Sequence, residues 1–217
     1  MRFFAAFLCL FFCAVSPAAA QFVTVKNVNA PEKFPLREIP KAPPKAVFYD
    51  ADGNSVRFTD FQGKIVLINV WSKACAQCIV ELPMLDALQK SFGDAKFKIV
   101  PLSVGGESAG QLTLFFRQKK LKHIRPYVDS ASQAALASGV SGLPTTLLLN
   151  EKGEEIGRIR GIAEWTGAPV KAQIRSLIRE RLTAKDETGA NPDAKDSETA
   201  RNAEPLSRET VLKWFKK

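Results

Sequence analysis

The run Ile65-Val66-Leu67-Ile68-Asn69-Val70 is nearly continuous in apolar residues. A strand with one face in water would alternate apolar and polar, so this one must be covered on both faces. Such strands belong to sheets with parallel neighbours, and parallel neighbours need crossover segments that are usually helices. The chain supplies them. After Cys78, Ile79, Leu82, Leu85, Leu88 and Phe92 recur at helical spacing, and Gly93 closes the segment. Residues 97–104 read as a second buried strand, 111–121 as a helix, 127–128 as a short extended piece and 133–138 as a short helix ended by Gly139. Two extended runs at 145–149 and 155–159, joined through Gly153, predict a hairpin, and 170–182 a final amphipathic helix. A further hairpin, turning at Asp52-Gly53, is expected at 47–58. The expected fold class is therefore α/β, with a central mixed sheet flanked by helices and an N-terminal hairpin extension.

The 217 residues accommodate one such domain with extensions, at about 150 residues per domain. With 46% apolar residues the chain is no disordered polymer, and the lack of an internal repeat excludes a solenoid. Arg2, an apolar run from Phe3 to Val15 and Ala18-Ala19-Ala20 before Gln21 predict a cleaved secretory signal at 1–20. The run is shorter than the roughly 20 residues of a spanning helix, so an uncleaved anchor is the weaker alternative. Cys9 and Cys13 fall inside it, and bulky Leu8 and Phe12 precede them where a lipoprotein signal needs a small residue. Residues 21–45, with Pro31, Pro35, Pro40, Pro43 and Pro44, read as an irregular, extended lead-in, 46–182 as the domain, and 183–217 as a disordered charged tail ending in a basic-aromatic patch at Trp214-Phe215.

The net charge of +9, from 31 Lys and Arg against 22 Asp and Glu, is scattered along the chain, and no nucleic-acid partner is expected. A single histidine, His123, sits among lysines at the surface and excludes any site of two imidazoles. The mature chain keeps two thiols, Cys75 and Cys78, in a compartment where disulfides persist. They follow the buried strand directly and open the amphipathic helix. A cysteine at a helix N-terminus meets unpaired N–H groups and the positive end of the dipole, which favour thiolate, the attacking species. Cys78, one turn further in, is shielded and placed to attack the mixed disulfide that Cys75 forms. A merely structural bridge would close too short a loop to constrain the unfolded chain much. Zinc needs four ligands, so no metal and no cofactor is expected, a weak two-thiolate Cu(I) site being the copper alternative.

Gly63-Lys64-Ile65-Val66-Leu67-Ile68-Asn69-Val70-Trp71, the Cys75-Ala76-Gln77-Cys78 pair, Glu81-Leu82-Pro83 and Gly139-Val140-Ser141-Gly142-Leu143-Pro144-Thr145-Thr146 occur in one order and spacing. Over residues 46–182 this combination resembles the TlpA/ResA group of thioredoxin-like, extracytoplasmic thiol-disulfide oxidoreductases. The resemblance implies a thioredoxin fold, Cys75 as attacking and Cys78 as resolving thiol, and Pro144 as a cis-proline facing them. It implies that Leu143 offers its backbone to a bound cysteine peptide and that Glu81 takes the proton of the buried thiol. It further implies a monomer at work in the periplasm or its equivalent. The implied partners are disulfide-containing exported proteins, such as apocytochromes c or copper-site assembly factors, and a membrane-embedded electron donor. The alternatives are a thiol oxidase or isomerase of the same fold, or a non-enzymatic redox or copper-binding adaptor.

Two positions depart from the group. Ala74 stands where an aromatic often precedes the first cysteine, and Gln77 replaces the usual proline. Asn69 lies where cytoplasmic thioredoxins carry a buried aspartate, which removes one possible base and slightly favours Glu81. Pro83 should kink its helix. Trp71 is expected to flank the substrate groove, packing alone being the alternative, and Trp165 to lie in the core.

Overall fold

The computed structural model describes residues 31 and 33–188. The proposed signal at 1–20 and everything after 188 lie outside the described residues. Among the described residues eight strands form one sheet: β1 (Leu36–Lys41), β2 (Val47–Tyr49), β3 (Ser55–Arg57), β4 (Ile65–Trp71), β5 (Phe97–Ser103), β6 (Tyr127–Val128), β7 (Thr145–Leu149) and β8 (Glu155–Arg160). Their spatial order is β1-β8-β7-β4-β5-β6-β2-β3. Strands β4, β5 and β6 run parallel and the other pairings are antiparallel, so the sheet is mixed as its sequence pattern requires. Among the described residues four helices accompany it: α1 (Ala76–Phe92), α2 (Ala109–Gln118), α3 (Gln133–Ala137) and α4 (Ala168–Thr188), with a 3-10 turn at Phe58–Phe61.

Every residue of β4 is buried, and the period of two sends its side chains into two cores. Ile65, Leu67 and Trp71 join Leu82, Leu85 and Leu88 of α1, Leu112 and Phe116 of α2 and Ile174 of α4. Val66, Ile68 and Val70 face the other way, with Phe48, Phe58, Tyr127, Ala134 and Ala135. Asn69 shares the parity of Trp71 and so points toward α1. This parity matters for the site.

The structure moves several expected boundaries. The lead-in at 21–45 is not wholly irregular or outside the domain: 36–41 forms edge strand β1 on β8, and Phe34 is buried beside Trp165, ring centroids 5.6 Å apart. Gln173 fixes the segment, accepting from Phe34 N–H at 2.8 Å and donating to Phe34 C=O at 3.0 Å. Gly157 permits the approach, since a Cβ there would sit 3.1 Å from the Pro35 carbonyl oxygen. Pro40 is tolerated because β1 is an edge. Helix α2 starts at 109 rather than 111 because Ser108 and Gln111 form a reciprocal capping box, and it stops at 118, before Lys120 turns left-handed at φ 59°. Helix α4 runs to Thr188, so 183–188 belongs to the helix and not to the tail. Among the described residues no helix is long and apolar enough to cross a membrane.

Candidate active site

The site lies where β4 hands over to α1. Ser72 shapes the connection, its carbonyl accepting from Cys75 N–H at 3.1 Å and its hydroxyl oxygen from Ala74 N–H at 3.1 Å. Cys75 is the N-cap of α1, and its Sγ accepts from Cys78 N–H at 3.2 Å. A cap position is normally filled by Ser, Thr, Asp or Asn oxygen, and here sulfur takes that place. The first turn carries no acidic residue to oppose negative charge on that sulfur. Cys75 and Cys78 are joined in a disulfide, with Cα atoms 5.3 Å apart. Cys75 is half-buried and Cys78 fully buried, so only one sulfur is open to solvent.

Strand β7 brings the second part of the site. Its register on β4 pairs Val70 with Thr145, which sets Pro144 level with the end of β4 that leads to the cysteines. The Leu143–Pro144 peptide is cis. Pro144 is buried and Leu143 half-buried, and Leu143 packs on the same core as Cys75.

Glu81 sits one helical turn beyond Cys78 and is fully buried. Its Oε1 accepts from Ala163 N–H at 2.8 Å and from Trp165 Nε1–H at 2.9 Å, and its Oε2 from Asn69 Nδ2–H at 3.4 Å. Asn69 also donates to Thr146 Oγ1 at 2.9 Å. These three donors favour the carboxylate, but removal from water outweighs them and pushes Glu81 up to about 7. Burial thus gives the carboxyl, one helical turn from Cys78, a raised affinity for its proton.

Trp71 is a correction. It does not flank a groove but is wholly buried, stacked against Phe115 at 5.9 Å and tilted against Phe116 at 5.7 Å. Its parity on a doubly covered strand sends it under α2. Trp165 is in the core as expected and also binds Glu81, a role with no local sequence signal because 84 residues separate them. Ala163 and Thr146 are likewise partners that only the tertiary fold reveals. His123 is exposed. Among the described residues no group of three or more His, Cys, Asp or Glu side chains is arranged to hold a metal ion.

Comparison with known proteins agrees with this geometry. Residues 33–157 match the AhpC/TSA family. The thiol-disulfide oxidoreductase ResA of Bacillus thuringiensis subsp. konkukian is 30% identical over 124 residues, covering 57% of this chain and 70% of the relative. ResA of Geobacillus thermodenitrificans is 31% identical over 134 residues, covering 62% and 75%. A thioredoxin-family thiol:disulfide interchange protein from Chlorobium tepidum superposes with a TM-score of 0.54 at 18% identity, covering 65% of this chain and 99% of that one, which supports the fold. A buried-strand CxxC at a helix cap, a cis-proline level with it and this set of relatives place the chain in the AhpC/TSA family, among the ResA/TlpA-like thiol-disulfide oxidoreductases with a thioredoxin-like fold.

Proposed function

We propose that the protein reduces disulfides of exported proteins by a two-step exchange. Cys75 thiolate attacks one sulfur of the substrate disulfide, forming a mixed disulfide and releasing the other substrate sulfur as thiolate. Cys78, giving its proton to Glu81, then attacks Cys75 Sγ and releases the second substrate thiolate. The chain is left with the Cys75–Cys78 disulfide. A membrane-embedded thiol-disulfide donor restores the dithiol, and the clients belong to the class of apocytochromes c or copper-site assembly factors. The site of action is extracytoplasmic, in keeping with the sequence-expected signal.

The observation that carries the assignment of roles is the asymmetry of the pair: Cys75 caps the helix and is half-exposed, whereas Cys78 is wholly buried. Leu143 supports the same reading. None of its backbone groups is hydrogen-bonded among the described residues, so they are free to pair a substrate segment as a short added strand. Cys78→Ala should accumulate a stable mixed disulfide between Cys75 and client, resolved on a non-reducing gel, and Cys75→Ala should accumulate none. Equal trapping by both variants would refute the roles. Turnover that needs the Glu81 carboxylate should fall as pH drops below about 7, and Glu81→Gln should abolish that inflection.

A further inference from the structure

A basic face extends from the redox loop across the C-terminal end of α2. Between Arg117 and Arg125, five of nine positions are Lys or Arg and none is acidic. Leu121 and Ile124 are buried, which turns Lys119, Lys120, Lys122 and Arg125 outward. The segment is held rigidly to α1: Asp86 Oδ1 accepts from the N–H groups of Lys122, His123 and Ile124 at 2.9, 2.6 and 3.1 Å. A cleft of about 340 Å³ opens in it, with Phe116 and Leu121 in the lining and Arg117, Lys120, Lys122 and Arg125 around them.

Phe115 links this face to the chemistry. Lys73, two residues before Cys75, places Nζ 5.6 Å from the Phe115 ring centroid, and Lys119 places Nζ 5.7 Å from the same centroid. Two ammonium groups thus share one ring that also stacks on Trp71. Arg125 is paired with Asp52 at 2.9 Å. Among the described residues Lys73, Arg117, Lys119, Lys120 and Lys122 form no ion pair with a carboxylate. A run of like charge that outnumbers the Asp86 and Asp52 carboxylates set against it, and that reaches the redox loop through Phe115 and Lys73, raises the local concentration of oppositely charged partners.

We propose that this face docks an acidic stretch of the disulfide-bearing protein substrate and thereby selects disulfides flanked by Asp or Glu. The inference rests on the thiol-disulfide reading above and names the substrate feature read beside Cys75. Continuity with the redox loop favours a protein substrate, because the same molecule must reach Cys75 and the cations. The apolar lining admits the hydrophobic side chains of such a segment, and the surrounding cations meet its carboxylates.

The test compares two peptides with the same intramolecular disulfide, one flanked by Glu and one by Lys, alongside neutral hydroxyethyl disulfide. The second-order rate of reduction by the dithiol form of the full chain is read at low and high salt. The Glu-flanked peptide should react about tenfold faster at low ionic strength. That preference should vanish near ~1 M salt, where the screening length falls to ~3 Å. Lys119→Glu with Lys120→Glu and Lys122→Glu should reverse the ranking and leave hydroxyethyl disulfide unaffected, and the milder pair Lys119→Gln with Lys122→Gln should abolish it. Equal rates for the two peptides, or a preference that survives the charge reversal, would overturn the proposal. So would charge-dependent binding to phosphatidylglycerol vesicles without peptide selectivity, or a preference that emerges only when residues 189–217 are removed. Failure of the wild type on hydroxyethyl disulfide would instead refute the underlying exchange activity.

Discussion

Glu81 carries the largest electrostatic consequence of any single side chain in the site. Its carboxyl moves from 4.5 to about 7 through burial, so between those values the folded protein binds more protons than the unfolded chain. Stability contributed by this group is therefore complete below about 4.5 and is lost as pH rises toward 7. The shift corresponds to about 3 kcal/mol as an order of magnitude. Urea unfolding of the oxidised protein at pH 5 and pH 8 should show wild type losing up to that amount relative to Glu81→Gln. Parallel pH profiles would mean that the site relaxes and admits water. A second expectation concerns Gln77 at the second helical position, where a proline would keep the helix and the Cys78 N–H on Cys75 Sγ but remove one further backbone donor from the first turn. An added donor stabilises the thiolate, hence the reduced form, so wild type should be more oxidising than Gln77→Pro by about 30 mV. Equilibration against glutathione reads this directly, and an unchanged or higher potential in the variant would refute it. The placing of Cys75 and Cys78 as a pair at the start of α1 was legible because spacing and helix start are local signals. The partners of Glu81 were not, because Ala163 and Trp165 reach it across more than eighty residues of chain.

At the level of elements, sequence patterning succeeded where one period ruled and failed where packing overrode a breaker. Strand β4 and helix α1 follow their hydrophobic spacing closely. Prolines misdirected the reading of the lead-in, since Pro40 in an edge strand costs no ladder bond and Gly157 lets the segment lie close to β8. Pro101 stands inside β5, yet β6 pairs only with Leu102 and Ser103, so one side of β5 lacks a neighbour at the proline. The lead-in also reaches the active site: Phe34 packs on Trp165, and Trp165 holds Glu81. Phe34→Ala should therefore destabilise the domain by about 3–5 kcal/mol, the usual cost of emptying a phenylalanine site in a core. It should also disturb the pH inflection assigned to Glu81, a readout that a remote packing defect would leave in place. A loss below about 0.5 kcal/mol in urea unfolding would show that the lead-in merely lies on the surface.

Across the whole molecule, one sheet separates two apolar cores, and the redox pair sits where the helical side meets the end of β4. Helices α1, α2 and α4 all contribute to that side, so α4 is part of the core on which the site rests rather than an appendage. Val170 and Ile174 are fully packed, and Leu177 and Ile178 are partly so. Beyond Thr188 the sequence turns to Asp, Glu, Ala, Asn, Ser and Pro, with too few large apolar residues to add to a core until Trp214 and Phe215. A chain ending at Thr188 should therefore keep its stability to within about 0.5 kcal/mol and its rate on hydroxyethyl disulfide. Ending the chain instead at Arg175 should unfold it, because Leu177 and Ile178 then leave the core. Urea unfolding and turnover measured on both truncations test the pair of expectations together. A destabilised chain ending at Thr188 would mean that the Trp214-Phe215 end docks on the domain, and full activity without 176–188 would remove α4 from the support of the site.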